Sequence, residues 1–199
     1  APHADSREMT FDANGNIIEV DDGGIYRRTS PQNNTGNWFS INGNLQVTEA
    51  HDVAYDSISN ILMTGNQDTG STEQINTGSL TWRSISTGDG GDVAVDNITL
   101  AGSNQSIRYT SFQNLQVFRR RVVDKNNNVV STAFPALTVT SGGPPLVAQF
   151  DTPIVLNAIN PTRILIGADN GLYESTNQGE TIARVAATIV TPGSTSSPI

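Results

Sequence analysis

The chain has 199 residues, with 11 Lys plus Arg against 19 Asp plus Glu, for a formal charge of −8. Such an acidic chain is a poor candidate for binding nucleic acid or an anionic membrane surface, which require clustered cations, and the absence of cysteine excludes a disulfide scaffold, a thiolate zinc site and a cysteine nucleophile. No apolar run approaches the roughly 18 residues of a membrane span, and the length fits one domain, or one and part of another.

Taken in chain order, the segments repeat. Arg7-Glu8-Met9-Thr10-Phe11-Asp12 is followed by apolar segments at 16–20 and 24–29 and an aromatic one at 38–41. The order restarts at Asp52-Val53-Ala54-Tyr55-Asp56, with segments at 60–64, 71–75 and 82–85. It restarts again at Asp92-Val93-Ala94-Val95-Asp96, with segments at 98–102, 105–110 and 117–122. A fourth copy begins at Ile154-Val155-Leu156-Asn157 and continues at 163–167, 171–175 and 182–186. The closing aspartates Asp12, Asp56 and Asp96 are spaced by 44 and 40 residues.

Segments of this length, alternating in polarity and bounded by Gly, Asn, Asp and Ser, are strands and turns. No stretch sustains the 3.6-residue apolar period of a helix. Four short strands per unit of about 40–45 residues is the arithmetic of a β-propeller blade. The expectation is an all-β propeller of four-stranded antiparallel blades. About four are present, at 5–43, 44–87, 88–131 and 153–186, with an insertion at 124–152 and a linker at 190–199. A β-sandwich would explain the strands but not their recurrence in one order. Arg119-Arg120-Arg121 is expected on an outermost strand, where charge resists edge-to-edge pairing. Trp38 and Trp82 share a blade position and are expected in the core.

The turns carry a resemblance. Ser175-Thr176-Asn177-Gln178-Gly179-Glu180-Thr181 resembles a degenerate Asp-box, the turn of sialidase-type (BNR) propellers, with Asn177 in place of the Asp and Ile182 in place of the Trp. Thr77-Gly78-Ser79-Leu80-Thr81-Trp82 and Thr35-Gly36-Asn37-Trp38 keep the tail of that pattern. Asp21-Asp22-Gly23-Gly24-Ile25-Tyr26-Arg27 looks like a segment of xyloglucanase-type endoglucanases, also propellers. That resemblance implies a catalytic carboxylate at Asp21. Asp-box propellers close with six to eight blades, so the resemblance implies that further blades, from the same polypeptide or another chain, complete the ring. The chain starts at Ala1 with no initiator methionine and is expected to be processed or part of something longer.

Blade geometry sorts the loops. Loops entering first strands and loops joining second to third strands share one face of a propeller. The entry loops carry His3, Asp5 and Arg7, then Glu49, His51 and Asp52, then Asp89 and Asp92. The second-to-third turns carry Asp21 and Asp22, then Gln67 and Asp68, then Asn104, then Asp169 and Asn170. Carboxylates and both histidines are therefore expected on one ligand-facing rim. A glycosidase would need two carboxylates about 5–9 Å apart; Asp21 is one candidate and no second can be assigned. Calcium suits Asp, Asn and carbonyl oxygens on Gly-rich turns, although no ordered Asp-x-Asp-x-Asp-Gly loop is present. Turn chemistry alone also accounts for Asp21, Asp68, Asp89 and Asp169.

Lys125 is the only lysine, and Asn, Thr, Ser and Gly fill the polar positions, a bacterial extracellular style of composition. The expected role is a binding or scaffolding module of a larger secreted or surface protein, carbohydrate-facing. The alternative is part of a glycoside hydrolase whose carboxylates line the same face.

Overall fold

The computed structural model describes residues 2–45, 47–140 and 142–187; the expected linker at 190–199 lies outside them. The chain divides into two compact units, Ala1–Thr48 and Glu49–Ile199. The first holds β1 (Glu8–Phe11), β2 (Ile17–Asp21), β3 (Gly24–Arg28) and β4 (Trp38–Ser40), an antiparallel sheet in sequence order. Its first hairpin turns at Asp12. One carboxylate oxygen accepts the Asn14 and Asn16 amides at 2.8 and 2.9 Å, and the other accepts Asn16 Nδ2 at 2.9 Å. The Asn16 side chain and amide hold the Asp12 carboxyl below its ordinary range. Trp38 is half-buried and packs under the Arg28 guanidinium, 5.9 Å from its ring centre.

The second unit holds three sheets. The first contains β5 (Ala50–Asp56), β6 (Ile61–Asn66), β7 (Gly70–Gln74) and β8 (Trp82–Ser84). The second contains β9 (Ala94–Asp96), β10 (Gln105–Thr110), β11 (Arg119–Asp124) and β12 (Val129–Ala133). The third contains β14 (Ile154–Leu156), β15 (Ile164–Ala168), β16 (Gly171–Ser175) and β17 (Thr181–Ala187), with β13 (Thr138–Val139) added parallel to β17. The other pairings are antiparallel. The protein is thus all-β, with four sheets of four or five strands. Among the described residues no helix is long and apolar enough to cross a membrane.

Period-2 alternation on β10 decides how the three sheets stack. Ile107 and Tyr109 face the third sheet and share a core with Phe118, Ile154, Ile164, Ile166, Tyr173 and Ile182. Ser106 and Arg108 face the first sheet, where the contact is ionic. Arg108 is fully buried. Its Nε and Nη2 donate to Asp56 Oδ2 at 2.9 and 2.7 Å, and its Nη1 donates to Glu73 Oε2 and Asn127 Oδ1, both at 2.8 Å. Ser106 Oγ donates to Asp56, Arg121 Nη2 donates to Glu73 Oε2 at 2.7 Å, and Arg83 Nε donates to Glu73 Oε1 at 2.7 Å. Burial alone would raise both carboxyls. The Ser106 hydroxyl and Arg108 at Asp56, and Arg121 and Arg108 at Glu73, outweigh it and hold both below their ordinary range.

The first strands of consecutive sheets are also stitched. β9 lies against β5 and β14. Asp52 Oδ2 accepts the Val93 amide at 3.1 Å, and Asp92 Oδ2 accepts the Ile154 amide at 2.9 Å. At the other end of β5, Asn97 Oδ1 accepts the Ser57 amide and its Nδ2 donates to the Tyr55 carbonyl.

The third repeat differs from expectation. Residues 98–102 do not form a strand; they run into a 3-10 turn, Ala101–Ser103, closed by Asn104 in the left-handed region. The second strand is therefore Gln105–Thr110, the third is Arg119–Asp124, and the fourth, Val129–Ala133, lies inside the stretch expected to be an insertion. The segment Ile98-Thr99-Leu100-Ala101 reads as a strand only if its turn is ignored. The Arg119-Arg120-Arg121 run consequently sits on an interior strand. Arg119 donates to Thr110 Oγ1, Arg120 pairs with Glu180 at 2.9 Å, and Arg121 pairs with Glu73. Trp82 keeps about a third of its surface exposed at the end strand of its sheet.

Replacing Arg108 by Ala leaves the buried Asp56 without its cation and removes one of three from Glu73; it is expected to cost about 3–5 kcal/mol, read by urea unfolding. The depressed carboxyls stabilise the fold above their unfolded values, near 4, and lose that contribution as pH falls through their folded values. Wild-type stability is therefore expected to drop below about pH 4, with a shallower drop in Arg108→Ala.

Candidate functional site

In the first unit the β2–β3 turn gathers the expected residues. Asp21 is 5% exposed. Its Oδ1 accepts the Gly23 amide at 2.9 Å and its Oδ2 accepts the His3 amide at 3.2 Å. The His3 ring lies against Gly23, where an added Cβ would come within 2.8 Å of it and force the ring to move. Tyr26 Oη donates to the Gly23 carbonyl at 3.1 Å; burial, then the Asp21 charge, raise its phenol. Arg7 forks onto Asp22 at 2.7 and 2.5 Å. Its side chain is 63% exposed, so this pair contributes little to stability. Asp5 is exposed, in the left-handed region at φ 57°.

Glu19 lies beside these residues. It shares a face of β2 with Asp21, two residues along the strand. It is fully buried, and neither carboxylate oxygen has a hydrogen-bond partner among the described residues. Its place inside an isoleucine-rich segment gives no sequence signal beyond the period-2 pattern.

In the second unit His51, Asp52, Gln67, Asp68, Asp89 and Asp92 come together where β5, the β6–β7 turn and the 89–92 segment meet. His51 Nδ1 lies 2.8 Å from the Gly90 carbonyl, and Nε2 lies 2.9 Å from Gln67 Oε1. Gln67 Nε2 donates to Asp68 Oδ1 at 3.0 Å and to Asp89 Oδ1 at 2.6 Å. Asp89 Oδ1 also accepts the Asp68 amide at 2.9 Å. Glu49 is exposed and joins only through its backbone, its carbonyl accepting the Gln67 amide at 2.9 Å. Gly65 and Gly91 permit this meeting: a Cβ on Gly65 would lie 1.9 Å from the Gly91 carbonyl oxygen. Asn104 caps its 3-10 turn, and the link between second and third strands in that sheet is 111–118. Asp169 and Asn170 form the β15–β16 turn, where Asn170 Nδ2 donates to the Pro145 carbonyl at 2.7 Å.

Asp151 joins this group without having been singled out from the sequence. Its Oδ2 lies 4.0 Å from His51 Nδ1, and its Oδ1 is buried without a partner among the described residues. It sits in a long connection outside the repeat pattern, so only the fold could reveal it. Burial, then the charges of Asp52 and Asp151, push the Asp92 carboxyl up to about 6, against the opposing Ile154 amide and His51. The arrangement sets a carboxyl that holds its proton more tightly than usual beside Asp52 and Asp151. Within each unit taken alone, no three His, Asp or Glu ligand atoms among the described residues lie within 4.8 Å of one another.

Neither a protein-family model nor a curated protein matches this sequence.

An aspartate whose folded value is raised stabilises fully below its unfolded value and loses that contribution as pH rises through the folded one. Asp92→Asn keeps an acceptor for the Ile154 amide without the charge. It is expected to raise stability at pH 7 by on the order of 2 kcal/mol and to leave it nearly unchanged at pH 4, measured by thermal or urea unfolding.

Proposed function

We propose that the chain is a run of β-propeller blades acting as a binding or scaffolding module of a larger bacterial secreted or surface protein, with a carbohydrate-facing rim. The observation that carries this reading is the gathering of His51, Gln67, Asp68, Asp89 and Asp92 from three separate segments at one end of the second unit. Serial stacking of three sheets, with the first strand of each stitched to the first strand of the next, supports the blade reading. The sheet of the first unit repeats the same strand order. The Asn177 turn adds to it: Ser175 Oγ accepts the Gly179 amide and Asn177 Oδ1 accepts the Thr181 amide, the fold-back bonding expected of a degenerate Asp-box. Further blades, from the same polypeptide or another chain, close the ring in this reading.

Binding is preferred to catalysis because the carboxylates are committed. Asp21 holds two main-chain amides, and Asp52 and Asp92 each hold one of the next sheet. The hydrolase reading is kept for one observation: the raised Asp92 carboxyl beside Asp52 and Asp151 is the pattern of a general acid next to an ionised partner.

A polysaccharide panel separates the two. The module reading expects retention on at least one polysaccharide, unchanged in Asp21→Ala, with no reducing sugar released. The hydrolase reading expects sugar release from a β-glucan, abolished by Asp21→Ala or Asp92→Asn. Retention on none of the panel would remove the carbohydrate-facing reading.

A further inference from the structure

His51 is held in an unusual hydrogen-bonding position. Its side chain is 14% exposed. Nδ1 faces a backbone carbonyl, Gly90 O at 2.8 Å, which can only accept. Nε2 faces the side-chain amide of Gln67 at 2.9 Å. An amide can turn either end to a histidine, but here its orientation is set from the far side. Two carboxylates, Asp68 and Asp89, take both protons of the Gln67 amide nitrogen at 3.0 and 2.6 Å. Reversing the amide would aim its carbonyl oxygen at those carboxylates. Both ring nitrogens of His51 therefore face acceptors, and only a ring carrying both protons can donate to both.

The groups bonded to the ring belong to two sheets. His51 opens β5 and Gln67 follows β6, in the first sheet of the second unit; Gly90 and Asp89 lead into β9, in the next. We propose that His51 is a proton-operated joint between these sheets: with both ring nitrogens protonated it ties β5 and the β6–β7 turn to the 89–92 segment, and loss of one proton releases the tie. Several acidic groups adjoin the ring. Asp52 lies beside it on β5, Asp68 on the β6–β7 turn, Asp89 and Asp92 on the next segment, and Asp151 on the approach to β14. The joint goes beyond the ligand reading and stands without it. Its consequence is a rim that is closed in mild acid and loosened as the ring becomes neutral.

Two amides report the joint: Asp68 N, bonded to Asp89 Oδ1 at 2.9 Å, and Gly90 N, bonded to the Asn66 carbonyl at 2.8 Å. Hydrogen exchange is measured at about pH 5 and about pH 8, corrected for intrinsic rates. Asp92→Asn serves as the background, which removes the neighbouring carboxyl raised to about 6. Protection at both amides is expected to fall about tenfold at the higher pH, the scale of one lost charge-assisted bond. His51→Gln in the same background is expected to abolish the difference. In parallel, 15N NMR of the His51 ring in the wild-type chain is expected to show protons on both nitrogens at the lower pH and on one at the higher. Equal protection at the two pH values, the same pH dependence in His51→Gln, or a ring neutral at pH 5 with the amides still protected would each overturn the joint. Should His51→Gln fail to fold, the ring spectra and background exchange decide it alone.

Discussion

One buried cation organises the second unit. Arg108 is fully buried between two sheets and stays charged at any ordinary pH. A charge there is tolerable only with partners on every side. The partners come from both sheets: Asp56 from β5, Glu73 from β7, Asn127 from the β11–β12 turn. Glu73 in turn engages Arg83 and Arg121. The requirement fixes the relative register of the two sheets, because a slip along the strands would leave a guanidinium or a carboxylate stranded without water.

The neighbouring contact has the opposite chemistry. One residue along β10 from Arg108, Tyr109 enters an apolar core and stacks on Phe118 with ring centres 5.8 Å apart. That core defines shape rather than charge pairing, and it tolerates volume-conserving change as the ionic contact does not. A single strand thus presents one interface built for specificity and another built for burial. What the two contacts share is the stitch between first strands, Asp52 to Val93 and Asp92 to Ile154.

That stitch also shapes the functional reading. The acids that a rim of this kind would present to a ligand are, at Asp52 and Asp92, partly consumed in holding main-chain amides. Their second oxygens and their charges remain. The Asp92 carboxyl is raised because it is buried close to other acids, and the His51 ring lies among them, bonded to Gly90 and Gln67. The side chains that hold the sheets together are therefore the same ones that gather at this end of β5.

The sequence by itself determined the strand-rich class, the four-segment order and most of the turns. Those features are local: alternation over four to seven residues, and Asp, Asn or Gly where the backbone must reverse. The convergence of His51 with Gln67, Asp89 and Asp92 was legible too, because it follows from where loops fall once the order is known. What only the tertiary structure decided depends on groups distant in sequence. Arg108 was invisible as an organising residue because its partners lie up to 52 residues away. The Arg119-Arg120-Arg121 run read as an edge because position along a sheet is set by pairing, not composition. Asp151 and Glu19 carry no pattern of their own. Burial and the charges around a carboxyl are properties of the packed sheets, and no single segment encodes them.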